Sequence, residues 1–183
     1  MTRDLEVIVF TYNHEEFIER ALRSVLSQKV NFPIKLRIHD DASADGTVDV
    51  INEVLADSWI PWELAQAPEN RYANGISYFH EFMAESQSEF IAILDGDDFW
   101  LDDAKLQEQV DALVRLPSAA LCHHPVAEFS YGDLTTVEWP PADVRQELIP
   151  GSMLAKKNII STSSVVLRTT MLPRKMPKGF NRL

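Results

Sequence analysis

The sequence predicts an α/β domain built on a mostly parallel sheet flanked by helices. Short apolar runs alternate with amphipathic stretches from Glu6 to Val114. The runs lack a period-two pattern, as expected of strands covered on both faces. Polar or acidic residues collect where the runs end, the edge at which open α/β sheets bind ligands.

Each element follows from its own pattern. Glu6–Thr11 is rich in branched residues and reads as the first strand. Glu15–Gln28 carries Phe17, Ile18, Ala21, Leu22, Val25 and Leu26 on one stripe and reads as a helix. Ile34–His39 is a second strand, and Thr47–Ala56 a helix with Val48, Ile51 and Leu55 on one face. Trp62–Gln66 is a short third strand and Gly75–Ala84 a helix. Phe90–Leu94 is a fully apolar strand that runs into Asp95, Gly96, Asp97 and Asp98. Asp103–Val114 is an amphipathic helix, capped by Asp102 or Asp103. This repetition predicts right-handed crossovers between parallel strands.

After Pro117 the texture changes. Ala119–His123 and Ser163–Arg168 read as strands, and Val126–Tyr131 with Leu134–Glu138 as a hairpin about Gly132-Asp133. Ile149–Lys157 is a short helix, and Pro173–Gly179 is basic and turn-rich. Residues 1–117 are expected to bind a ligand and 118–183 to begin a second, mixed portion, all in one structural domain.

Bulk properties exclude several functions. The 183 residues carry 17 basic and 28 acidic side chains, a net charge of −11, which argues against general nucleic-acid binding. The lone Cys122 offers no disulfide framework, so the expectation is a reduced cytoplasmic setting. Met1-Thr2-Arg3-Asp4 leads into a strand without a signal peptide, and no apolar segment approaches the ~18 residues of a membrane span. Trp59, Trp62 and Trp139 are expected in the core.

Three segments carry chemistry. Three acids around one glycine at the end of a buried strand repel one another, and a divalent cation shared with substrate phosphates is the simplest relief. The bland alternative, a solvated helix-initiating loop, suits Asp102 and Asp103 better than Asp95 and Asp97. Thr11-Tyr12-Asn13-His14-Glu15 offers a hydroxyl, a ring and an amide to a base or ribose, against plain capping by Asn13 and a surface aromatic. In His39–Thr47, Asp41 is an acceptor for an imide N–H, whereas Ser43 and Asp45 suit a turn with capping. An EF-hand reading of Asp41, Ser43, Asp45 and Gly46 fails. Its closing position falls on Asn52, and a strand precedes the loop. Cys122, His123 and His124 alternate across a strand and cannot form one compact zinc site.

The series Val7–Asn13, Ser24–Gln28, Asp40–Thr47 and Leu94–Asp98 resembles the family 2 glycosyltransferases of GT-A fold. Ser161–Arg168 resembles the strand that enters their acceptor half. The resemblance implies that Thr11, Tyr12, Asn13 and Glu15 line the nucleotide pocket and that Asp41 reads the base, commonly uracil. Asp95-Gly96-Asp97 matches the Asp-X-Asp motif. Asp95 would face the ribose, Asp97 would hold Mn2+ or Mg2+ on the donor diphosphate, and Asp98 would support that site. Arg71, in the covering loop Glu69–Gly75, would contact the diphosphate. The implied reaction moves a sugar from a nucleotide-diphosphate donor, such as a UDP-sugar, to a hydroxyl with inversion. The acceptor is expected to be a glycan or a lipid-linked glycan at the inner membrane face, reached without an integral membrane segment. The catalytic base is expected beyond Leu183, so the chain reads as a truncated enzyme. A non-catalytic sugar-nucleotide-binding module is the alternative. Nucleotidyltransferases are disfavoured, because no glycine-rich phosphate loop follows the first strand.

Overall fold

The structure, a computed structural model, describes residues 3–73, 79–130, 133–140, 148–154, 156 and 159–172. The elements are β1 (Leu5–Thr11), α1 (Ile18–Leu26), β2 (Ile34–Asp40), α2 (Thr47–Leu55), β3 (Trp62–Gln66), α3 (Phe79–Glu85), β4 (Phe90–Asp95) and α4 (Lys105–Arg115). They continue with β5 (Leu121–Cys122), β6 (Val126–Ser130), β7 (Asp133–Trp139), α5 (Gly151–Leu154) and β8 (Val166–Arg168). Six strands form one sheet in the order β3-β2-β1-β4-β8-β5, and β6 pairs with β7 in a separate hairpin.

β1, β2, β3 and β4 run parallel, with Phe10 level with both His39 and Asp95. The carboxyl ends of β1, β2 and β4 therefore share one edge. β8 runs antiparallel to β4 and to β5, so the sheet is mixed at that side. The excursion from β5 through the hairpin to β8 thus leaves from, and returns to, the edge where β4 ends.

Burial explains the missing alternation. Leu5, Val7 and Val9 face a core filled by Ile18, Leu22, Val25, Ile51, Leu55, Leu106 and Val110 from the helices. Ile8 and Phe10 face a second cluster with Ile91, Ile93, Phe82 and Val165. Truncating such a side chain to alanine costs about 2–5 kcal/mol. Glu6 shares this second face, where its buried carboxylate lies 2.9 Å from Nε of Arg37.

Several expectations need correction. The first helix begins at Ile18 rather than Glu15, because residues 13–15 direct their backbone N–H groups to side chains across the sheet edge. The strand expected over Ala119–His123 contracts to Leu121–Cys122. The one expected over Ser163–Arg168 contracts to β8, since Thr162–Ser164 form a 3-10 turn closed by Ser164 Oγ on the Ser161 carbonyl. Trp59 is 60% exposed and donates its indole N–H to the Leu26 carbonyl, while Trp139 is also exposed. Trp62 is half-buried and packs against the core as expected, and the buried tryptophan is Trp100, whose N–H reaches the Ser163 carbonyl at 2.8 Å. Asp102 accepts the Ala104 N–H at the entry to α4, whereas Asp103 pairs with Lys29. Of the turn expected at Gly132-Asp133, Asp133 opens β7, whereas Gly132, the start of the helix expected at Gly75, and the basic Pro173–Gly179 segment lie outside the described residues.

Candidate functional site

Two loops at the shared edge are laced together. Asn13 takes a left-handed conformation at φ 54°, which asparagine tolerates better than most residues. Its side-chain oxygen accepts the Ala44 N–H at 2.8 Å, and its own N–H donates to Ser43 Oγ at 2.8 Å. The His14 N–H donates to Thr47 Oγ1, and the Glu15 N–H to Asp45. In return the Glu15 carboxylate accepts the Gly46 N–H at 2.9 Å. A Cβ on Gly46 would sit 2.7 Å from that carboxylate, so only glycine admits the contact without displacement. Asp45 accepts both the N–H and the hydroxyl of Thr47 and so holds the start of α2. Burial, the largest single effect, raises the Asp45 carboxyl, but the hydrogen bonds from Thr47 and Glu15 together outweigh it and hold the group below its usual range.

Asp41 follows β2 and is fully buried. Its two oxygens accept the backbone N–H groups of Arg71 and Tyr72 at 3.0 and 2.9 Å. The carboxylate therefore clasps the loop after β3. The Arg71 guanidinium pairs with Glu81 of α3 at 2.9 Å. Beside Asp41, burial lowers the His39 pKa against the pull of that carboxylate.

The acid loop after β4 is built differently. The Gly96 N–H continues the β1 ladder by donating to the Phe10 carbonyl at 2.7 Å. A Cβ at Gly96 would lie 2.7 Å from both Thr11 Oγ1 and His14 Nδ1. This gap brings Thr11 and His14 against the acids. Burial, then the charges of Asp98 and Asp97, push the Asp95 carboxyl up to about 6. Asp98 is also raised by burial, although the Ser163 hydroxyl donates to it. Asp97 is exposed, and its Oδ2 lies 3.9 Å from His14 Nε2.

The structure thus joins Thr11, Asp95, Gly96, Asp97 and Asp98 into one constellation. It ties Asn13 and Glu15 to the neighbouring loop, links Asp41 to the backbone of Arg71, and leaves Tyr12 41% exposed at the rim. His14 and Ser163 belong to the constellation but were not singled out from sequence. The spacing of His14 three residues after Thr11 was the available signal for the first. Ser163 has none, because its contact with Asp98 is made only by the tertiary fold.

A cavity of about 1020 Å³ opens at Asp97 and Asp98 and extends away from Thr11 and Asp41 toward the hairpin. Phe17, Phe99, Trp100 and Trp139 give it aromatic walls.

Among the described residues no three His, Cys, Asp or Glu side chains converge into a preformed metal cage. Magnesium- and manganese-type cations need none, since one or two carboxylates plus waters and phosphates suffice. The hard oxygen set of Asp97 and Asp98 fits such an ion, as does the mutual repulsion that raises Asp95.

The profile of glycosyl transferase family 2 matches residues 6–175. An uncharacterised protein of Mycobacterium tuberculosis is 34% identical over 166 residues, which cover 90% of this chain and 46% of that protein. An Escherichia coli protein named UDP-Glc:alpha-D-GlcNAc-diphosphoundecaprenol beta-1,3-glucosyltransferase is 31% identical over 107 residues, 58% of this chain and 39% of that one. The chain spans about half the length, or less, of these curated relatives. Among solved structures, residues 1–349 of Staphylococcus aureus TarS align at TM-score 0.61 and 18% identity, covering 96% of this chain and 52% of that one. The mannosyltransferase PcManGT of Pyrobaculum calidifontis, in complex with GDP-Man and Mn2+, aligns at TM-score 0.56 and 24% identity over 64% of this chain and 34% of that one. Both show the same GT-A arrangement of a mostly parallel sheet between helices. By its profile match across nearly the whole sheet, the chain belongs to glycosyl transferase family 2.

Proposed function

We propose that this chain forms the donor half of an inverting glycosyltransferase that uses a nucleotide-diphosphate sugar, a UDP-sugar first among them. The observation that carries the reading is the acid loop itself. Three carboxylates meet the end of β1 at one sheet edge, and Asp97 stays open to solvent. Asp97 and Asp98 are the proposed cation ligands. When bound, the cation neutralises charge that develops on the departing diphosphate.

The chain's own residues shape the pocket around that event. Thr11, Tyr12 and Asn13 line its floor and rim, and Glu15 fixes the loop that carries them through Gly46. Asp95 is placed to meet the ribose, with Gly96 keeping the backbone close. Asp41 is proposed to accept the imide N–H of the base. It is fully buried, so a base reaches it only if the segment at Arg71 and Tyr72 yields. Arg71 is proposed to exchange Glu81 for a donor phosphate oxygen. The acceptor, a glycan or lipid-linked glycan at a cytoplasmic membrane face, approaches through the aromatic cavity. Among the described residues no helix is long and apolar enough to cross a membrane.

The test is a thermal-shift panel of UDP, GDP, dTDP and their sugars, with and without Mn2+, on the native chain and on Asp97→Ala. Support is a Mn2+-dependent shift with one nucleotide that the substitution abolishes. The absence of any shift with every nucleotide rejects the reading. Slow hydrolysis of the bound donor would separate an enzyme from a module that only binds.

A further inference from the structure

His14 is held more tightly than a surface loop residue needs to be. Its N–H is donated to Thr47 Oγ1 at 2.8 Å, and its carbonyl accepts the N–H groups of Phe17 and Ile18. Its Nδ1 lies 3.2 Å from Thr11 Oγ1, and the Phe17 ring meets the imidazole edge-on at 6.4 Å. The ring occupies space that exists only because residue 96 is glycine. These restraints leave one free direction for Nε2, toward Oδ2 of Asp97 at 3.9 Å.

We propose that His14 is a direct nitrogen ligand of the cation held by Asp97, oriented by Thr11. The inference rests on the donor-site reading above and adds a ligand to it. Two ligands each about 2.1 Å from one ion stand roughly 3.0 Å apart when adjacent and about 4.2 Å when opposite, which brackets the observed separation. Ligating histidines generally donate their second ring N–H to a fixed acceptor; Thr11 Oγ1, 3.2 Å from Nδ1, can accept it in the tautomer that leaves Nε2 its lone pair. In that tautomer the Nε2 lone pair faces the Asp97 carboxylate, a repulsion that a cation between them relieves. An imidazole ligand also moves the preference of the site from Mg2+ toward Mn2+ and later transition ions.

Electron spin-echo spectroscopy of Mn2+ and UDP on the full chain tests this without turnover. The expected result is nitrogen modulation from a bound imidazole, which changes isotope in 15N-labelled protein and vanishes in His14→Ala. In the same variant, Mn2+ affinity in the presence of UDP falls by about tenfold or more, with less change for Mg2+. Thr11→Val lowers Mn2+ affinity by about 10–100-fold with the modulation retained, as expected of an orienting partner. Mn2+ that binds with UDP but shows no protein nitrogen, or the same nitrogen in His14→Ala, overturns the ligand assignment and leaves the donor reading standing. Failure of Mn2+ to bind with any nucleotide overturns both.

Discussion

Two acid-rich loops flank β1, one after β2 and one after β4, and they use the same side chain in opposite ways. After β2, Asp40, Asp41 and Asp45 each accept hydrogen bonds from loop backbone, at Ser43, at Arg71 and Tyr72, and at Glu15 and Thr47. After β4, Asp95, Asp97 and Asp98 crowd one another, and Ser163 and His14 are their named polar neighbours. The proton affinities follow. Asp45 is held below the ordinary carboxyl range, whereas Asp95 is raised to about 6. A cluster of acids in a sequence is therefore ambiguous until its donors are known. Donors make it a fastener, and their absence leaves a site for a cation.

The contrast breaks most sharply at Asp41. Asp41→Ala leaves the Arg71 and Tyr72 amides without their acceptor in a part-buried setting and is expected to lower stability by about 3 kcal/mol in urea unfolding without metal. Asp97→Asn should leave the free protein within about 0.5 kcal/mol of native. It should instead remove the Mn2+-dependent stabilisation by nucleotide, about 2.7 kcal/mol at a hundredfold excess over Kd. Comparable losses in the free protein from both substitutions would erase the distinction between the loops.

The pH dependence sharpens it next. Asp95 is raised from 3.8 to about 6, so the folded state keeps its proton longer than the unfolded chain. Its contribution to stability is therefore full below about pH 4, declines as pH rises toward about 6, and is flat above. With part of the carboxyl still reaching water, the loss amounts to about 2 kcal/mol. Asp95→Asn should flatten that slope, and Mn2+ should weaken it in the native protein. His39 works in the other direction, because its lowered pKa costs stability as pH falls below 6.5. The difference between native and Asp95→Asn curves isolates the acid. Asp45, with its depressed pKa, stabilises above the ordinary carboxyl range and loses that effect only as pH drops through it. The smallest expected effect is Thr47→Val. It removes the acceptor for the His14 N–H and should cost about 1 kcal/mol in the same urea assay.

Most of the sheet was legible because burial on both faces writes itself into local composition. The strands from Val7 to Leu94 could be placed without knowing their neighbours, and the acids could be placed at their ends. What escaped depends on contacts between distant segments. The backbone N–H groups of residues 13–15, bonded to side chains across the sheet edge, delay the first helix, and no periodicity in Glu15–Gln28 announces it. The indole of Trp59 finds a carbonyl at the surface, where composition suggested a core. Asp41 looked like a free acceptor at the end of a strand, yet the backbone of a later loop closes on it. The family resemblance named acids that the fold gathers at one sheet edge but was silent on His14, whose orientation comes from Thr11 and the missing side chain of Gly96.

The direction of β8 carries an architectural consequence. Residues before it reach Asp98 through Ser163, whereas Thr169 just after it bonds to the Ser88 and Glu89 carbonyls, at the far end of β4. β4 has 6 residues, so those two ends lie about 20 Å apart at ~3.3 Å per residue. Any downstream group that takes part in transfer must first travel that height back up the sheet. An extended segment would need about 6 residues and a helix about 13 at ~1.5 Å each. On the proposed donor-half reading, the acceptor side is reached by such a return path, and the length of that path becomes a lever for tuning how the two halves meet.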